Sequence, residues 1–324
     1  MSETEIAKVC INEFKQGERI EGFFLIKSVD LKTANANGRK YLDFVIADKT
    51  GDISAKLWEV SKEIEESITN NIIVKIRGTV VAWQATLQLK IEKVRFTTEE
   101  DNINIDEYVQ SAPIKSEELY DLIKIYIDDM KNRDMQNIVN AIFEKNREKL
   151  LYYPAAKKNH HAIRGGLLYH VYTMLVNAEN LLKVYDFMDN DLVFAGVILH
   201  DLSKMEEMDS NELGIVSEYT LEGTLLGHIS QGVKKVELVG NEVNADKRII
   251  TLLQHMILSH HYEPEFGSPV KPMIPEAELL HFLDVMDARM YDMRRMINET
   301  KPGEFSEKLW SLENRRIYNH GDLS

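Results

Sequence analysis

Ten histidines are present, and most fall between His160 and His281. Among them is one His200-Asp201 pair, which closes the apolar run DLVFAGVIL. With ten His and twenty Asp in 324 residues, about 0.6 such dipeptides arise by chance, so the pair alone says little. Its place says more. A run apolar on every side reads as a buried helix, and this one delivers two ionisable groups where it leaves the core. Such groups need a partner there, and a divalent cation is the economical one. Other candidate ligands follow at intervals: His170 in GGLLYHVYTMLV, His228 in GTLLGHIS, His260 and His261 in LLQHMILSHHYEPEFGSP, and Asp284 in ELLHFLDVMDARM. The single cysteine, Cys10, has no partner for a thiolate site. Imidazoles and carboxylates suit borderline or hard ions: manganese first, with cobalt, iron, zinc or magnesium as alternatives.

The elements that position these residues read as helices. Gly165 and Gly166 let the start of the His170 helix pack closely against a neighbour. Adjacent residues on a helix point about 100° apart, so His260 and His261 need not both reach one site. His255, His281 and Asp287 read as supporting residues, Asp287 lying one turn beyond Asp284. His160 and His161 precede the His170 helix and are candidates either for gripping phosphate or for plain surface. SEELYDLIKIYIDDM opens the helical half with Ser116 as a cap candidate.

The first hundred residues follow another rule. Five runs (19–31, 40–48, 53–60, 70–83 and 86–96) have strand character and are bounded by turn signals such as Asn37-Gly38 and Thr50-Gly51-Asp52. A short helix, SKEIEESITN, falls between the third and fourth, which is the plan of an oligonucleotide-binding (OB) barrel. The expected organisation is multidomain: an all-β OB-fold over 1–100, a polar linker over 101–115, and an all-α domain over 116–324. The net charge of −14 argues against a broad basic surface for nucleic acid. It is unevenly spread, with 15 Lys and Arg against 16 Asp and Glu in residues 1–100, and 24 against 37 afterwards. No apolar stretch approaches a membrane span, and MSETEIAKVC lacks the plan of a signal peptide, so a cytoplasmic protein without a membrane partner is expected.

The ordered set H, HD, H, HH and D, with Lys204 in His200-Asp201-Leu202-Ser203-Lys204, resembles the HD phosphohydrolase superfamily. Together with the N-terminal barrel and the phrases HHAIRGGLLYH and SHHYEPEFGSP, it is similar to the YhaM-type 3′ to 5′ exoribonucleases. The resemblance implies that His170, His200, Asp201 and Asp284 are core metal ligands. It adds His228 and one or both of His260 and His261 as ligands of a second ion. It also implies release of nucleoside 5′-monophosphates from the 3′ end of single-stranded RNA, with single-stranded DNA as a further substrate.

The chemistry fits that reading, since a divalent centre lowers the pKa of bound water and acts as a Lewis acid on phosphate. Asp201 would bind metal and orient the water, and Lys204 would neutralise a non-bridging oxygen. In the barrel, Phe44, Trp58 and Trp83 are candidate stacking residues, with Lys56, Lys75, Arg77 and Lys90 as phosphate contacts. Alternatives are an HD-type nucleotidase or cyclic nucleotide phosphodiesterase with a regulatory barrel, and a non-catalytic nucleic-acid-binding adaptor.

Overall fold

In the computed structural model, residues 10–34, 38–84 and 86–323 are described, and the chain divides into two compact units, Met1–Gln110 and Ser111–Ser324. The turn residue Asn37 and the opening MSETEIAKV lie outside the described residues.

The first unit is a closed five-stranded barrel of order β1-β2-β3-β5-β4, made of β1 (Arg19–Thr33), β2 (Lys40–Asp48), β3 (Gly51–Leu57), β4 (Ile72–Trp83) and β5 (Thr86–Phe96). Helix α1 (Lys62–Ser67) sits between β3 and β4 and is capped by Ser61, whose side chain accepts from the Ile64 amide. Neighbouring strands are antiparallel except β3 and β5, which run parallel with Lys56 opposite Lys90. Closure removes free sheet edges. Alternation along each strand decides what lies inside. On β2, Leu42, Phe44 and Ile46 are buried, and on β4, Val74, Ile76 and Val80. Each fully buried aliphatic side chain stabilises the barrel by about 1.5–3 kcal/mol. Gly78 is required at the β4 bulge, where a Cβ would lie 2.5 Å from the Lys90 carbonyl oxygen. The polar stretch 101–115 is shared between the units. Asp101 is bound bidentately by Arg95, the Lys49 amide donates to the Glu107 carbonyl, and the Ala112 amide donates to the Arg164 carbonyl.

The second unit is helical: α2 (Ser116–Asp128), α3 (Arg133–Lys145), α4 (Arg147–Leu150), α5 (Gly166–Leu182), α6 (Asn190–Leu199), α7 (Lys204–Glu207), α8 (Leu221–Glu242), α9 (Lys247–Ser259) and α10 (Pro275–Glu299). A two-stranded hairpin, β6 (Met208–Ser210) and β7 (Val216–Tyr219), joins α7 to α8. Helix α6 is the centre of the unit and packs against α2, α3, α5, α9 and α10. It starts at Asp189, whose carboxylate accepts from the Leu192 amide, and Leu192, Val193 and 195–199 are all buried. Ser116 does not cap α2: Lys115 holds that position, and Ser116 is buried at the first helical turn. No helix among the described residues is long and apolar enough to cross a membrane.

Candidate metal centre and nucleic-acid interface

Four elements end or bend where the histidines sit. His200 is the C-cap of α6 and His260 the C-cap of α9, and both rings turn back in the same way. His200 Nδ1 donates to the Val197 carbonyl at 2.8 Å, and His260 Nδ1 to the Ile257 carbonyl at 2.7 Å. Each thereby satisfies a carbonyl that a helix end leaves without a partner. Two helix C-termini, carrying partial negative charge, are thus directed at one point, an environment that favours a cation. The end of α9 also lets both adjacent histidines face the site. His261 lies beyond the helix in a turn completed by Tyr262 at φ 68°, and its ring lies 4.1 Å from that of His260.

The other two positions depend on glycine. Gly166 opens α5 where a Cβ would lie 2.1 Å from the His161 carbonyl oxygen, so the helix carrying His170 starts closer than any side chain allows. Gly227, at φ 66° and ψ 165°, kinks α8 so that the His228 amide and Nδ1 both reach the Glu207 carboxylate, at 3.2 and 3.1 Å. Asp284 comes from α10.

These residues converge on Asp201. Its Oδ2 lies 3.3 Å from His200 Nε2 and 3.8 Å from His170 Nε2, and its Oδ1 lies 3.4 Å from His228 Nε2 and 3.9 Å from His260 Nε2. Asp284 Oδ1 is 3.3 Å from His170 Nε2. Two groups of ligand atoms that could each hold an ion share this carboxylate: His170, His200 and Asp201, and Asp201, His228, His260 and His261. The Nε2 atoms of His170, His200, His228 and His260, with Asp201 Oδ1, are buried without a hydrogen-bond partner. Meanwhile every Nδ1 is engaged: His170 by Asp287, His228 by Glu207, and His200, His260 and His261 by backbone carbonyls. Unpaired buried polar atoms are costly. Imidazoles whose second nitrogen is fixed in this way have the arrangement of metal ligands, so the residues fit a divalent ion.

Lys204 opens α7 after the turn 201–203, and its Nζ donates to Asp201 Oδ2 at 2.6 Å. Burial pushes the Asp201 carboxyl up, but Lys204, His200 and His228 outweigh this and hold it well below the usual carboxylate range. Burial lowers the Lys204 ammonium, and Asp201 more than compensates, leaving it raised. Burial first, and then the neighbouring His261 and His200, keep His260 far below the ordinary imidazole range, hence neutral and able to ligate.

Asp287 Oδ2 accepts from both His170 Nδ1, at 2.8 Å, and His161 Nε2, at 2.7 Å. His161 is therefore no phosphate grip. It is 1% exposed and its ring lies 4.1 Å from that of Tyr291, so it braces Asp287 from within. His160 lines the cleft above the centre, with burial lowering it to about 4. His281 Nδ1 donates to the His260 carbonyl, and His255 Nε2 accepts from the Met273 amide. Glu207 escaped the sequence reading. Its signal was its place one turn after Lys204.

In the barrel, Lys56, Trp58, Trp83 and Lys90 line one cleft of about 290 Å³. Trp58 stacks on Tyr41, with ring centres 4.6 Å apart, and Lys56 lies over the same Tyr41 ring at 4.9 Å. Tyr41 was missed, although its alternation with buried Leu42 makes it outward-facing. Phe44 is not a stacking residue: it is 1% exposed because β2 alternation turns it into the core. Lys75 and Arg77 are elsewhere, paired with Glu21 at 3.2 and 2.6 Å on the outer face of β4.

Comparison with known proteins agrees with both halves. Residues 167–289 match the family model described as HD domain, and residues 25–96 match the one described as OB-fold nucleic acid binding domain. Among solved structures, the chain is similar to a replication protein A heterotrimer bound to single-stranded DNA, at 17% identity over 28% of this chain and 66% of that one, TM-score 0.22. It is also similar to the second OB-fold domain of replication protein A from Methanococcus maripaludis, at 15% identity over 27% and 92%, TM-score 0.23. A mitochondrial single-stranded DNA binding protein from S. cerevisiae matches at 15% identity over 25% and 94%, TM-score 0.23. The protein therefore carries an OB-fold barrel, over which the nucleic-acid-binding OB-fold model matches, followed by a helical unit that holds an HD domain with a His and Asp cluster able to hold a metal ion.

Proposed function

We propose that this protein is a 3′ to 5′ exonuclease that hydrolyses phosphodiester bonds of single-stranded RNA, and of single-stranded DNA, to nucleoside 5′-monophosphates. The observation that carries the proposal is the set of orphaned buried atoms, four imidazole Nε2 and Asp201 Oδ1, around one carboxylate. His170, His200 and Asp284 would hold one divalent ion, and His228, His260 and His261 a second, with Asp201 between them. Manganese is the first choice. A bound ion supplies a hydroxide-like water at neutral pH and charge neutralisation on the phosphoryl group.

The chain's own residues do the rest. Asp201, held anionic, orients the attacking water. Lys204, fixed as a cation at the floor of the cleft, balances charge on a non-bridging phosphate oxygen. Asp287, Glu207 and the Val197 and Ile257 carbonyls engage the Nδ1 of His170, His228, His200 and His260, which leaves each Nε2 as the nitrogen that faces the centre. The cleft of Lys56, Trp58, Trp83, Lys90 and Tyr41 offers aromatic faces and cations to a flexible strand, the combination that binds single strands without sequence preference. Covalent linkage of such a binder to a hydrolytic centre raises the local concentration of polymeric substrate. That supports oligonucleotides over free nucleotides.

The test is purified protein with 5′-labelled RNA and manganese. A ladder of 3′-shortened products that chelation abolishes is expected. Hydrolysis of mononucleotides with no shortening of RNA would move the assignment to an HD nucleotidase. Strand binding without bound metal or cleavage would make the protein an adaptor.

A further inference from the structure

The cleft above the metal centre, about 820 Å³, has a wall that neither family match covers. Residues 301–323 fold back along α10 as an irregular hairpin, with Phe305 bridged to Tyr318 and Leu309 to Arg315. It is tied down at three places. Asn319 Nδ2 donates to the Ile297 and Thr300 carbonyls, Ser311 donates to the buried Asp292 carboxylate, and Glu313 pairs with Arg289 at 3.0 Å. Leu312 is fully buried beneath it.

Between these anchors stands Trp310, which lines the cleft yet is 74% exposed. Its neighbours Ser311 and Glu313 do the anchoring, while most of the Trp310 side chain faces solvent. Asp284, Ala288 and Asp292 follow at i, i+4 and i+8 on α10 and all line the cleft. One helical face therefore carries a ligand, a small residue that leaves room, and the hairpin's anchor. Along the axis, Asp292 is about 12 Å from Asp284. A rigidly mounted, solvent-facing indole beside a phosphate-hydrolysing centre is suited to stacking on a base.

We infer that Trp310 is the stacking platform for the base of the terminal nucleotide whose phosphodiester is cleaved, and that the C-terminal hairpin exists to present it. This rests on the hydrolase reading of the centre.

Full-length protein with manganese is assayed on an RNA oligonucleotide with an ordinary 3′ end and on the same oligonucleotide ending in an abasic ribose. Trp310→Ala is expected to raise KM for the ordinary end about 5- to 150-fold, the worth of one stacked base, with the abasic end unaffected. Trp310→Phe should recover most of the loss, because it keeps an aromatic face. An unchanged KM, or an equal rise on both ends, overturns the platform. If the wild type cleaves neither substrate, the hydrolase reading fails and fluorescence decides the platform separately. In a Trp58→Phe, Trp83→Phe protein, Trp310 is the sole tryptophan. Adenosine 5′-monophosphate should quench it saturably while ribose 5-phosphate does not, and no quench by the nucleotide overturns the inference.

Discussion

Asp287 is the most informative single residue to perturb, because one oxygen atom braces two histidines. Burial pushes its carboxyl up, but the bonds from His161 and His170 hold it well below the usual range. Asp287→Asn keeps the shape and removes the charge. A charge-assisted hydrogen bond contributes about 1.5–3 kcal/mol and a neutral one about 0.5–1.5, so each of the two bonds weakens by about 1 kcal/mol. Only one of the two bonds is to a metal-facing ring, so about 1 kcal/mol is lost from the orientation and basicity of His170, which corresponds to roughly 5-fold weaker metal binding, somewhat under the 10- to 100-fold typical of such partners. Competition of manganese against a fluorescent chelator measures it. Asp287→Ala, which strands two buried ring nitrogens, should also destabilise the fold by about 2–6 kcal/mol in denaturant titration. The sign with pH follows from the lowered carboxyl: its contribution is complete above about pH 4 and is lost as pH falls further. Stability of Asp287→Asn should accordingly be less acid-sensitive in that range. Manganese affinity within threefold of wild type would refute the bracing role.

Stripping metal with chelator and then adding manganese at about 100 times its Kd should stabilise the protein by about 2.7 kcal/mol, a rise of roughly 5–11 °C in the Tm of the helical unit. No rise in scanning calorimetry would remove the metal reading. His200→Ala with Asp201→Ala should abolish both that rise and RNA cleavage while strand binding, followed by gel shift, survives; loss of binding as well would count against separable modules. Trp58→Ala and Trp83→Ala should each weaken strand affinity by about 1–3 kcal/mol with little change in stability. Phe44→Ala should instead cost the barrel about 3–5 kcal/mol in thermal unfolding, and a stable Phe44→Ala protein that loses only binding would contradict its place in the core.

Order and type of residue were legible early. Alternation of period two, a short helix between the third and fourth strands, and an all-round apolar segment ending in His200-Asp201 are local signals. They were enough for a barrel followed by a helical domain, and the ordered set H, HD, H, HH and D carried the resemblance to HD phosphohydrolases. What alternation could also have told, and was not used for, is the direction of single side chains: Phe44 falls on the inward phase of β2 and Tyr41 on the outward one. Lys75 and Arg77 read as free cations because their partner, Glu21, is more than fifty residues away in the chain and beside them only across the β1–β4 ladder.

At the candidate metal centre, the sequence by itself determined the candidate donors: imidazoles and carboxylates, no thiolate, in the order H, HD, H, HH, D. Tertiary structure decided which donors face one another. Whether His260 and His261 both reach the site depends on α9 ending between them. His161 turns inward because Asp287, one turn after Asp284 on a distant helix, arrives beneath it. The position of Trp310 depends on a hairpin held by Asp292 and Arg289 of α10. Helix ends, kinks and contacts between remote segments follow from packing the whole unit at once, and no window of the chain contains them.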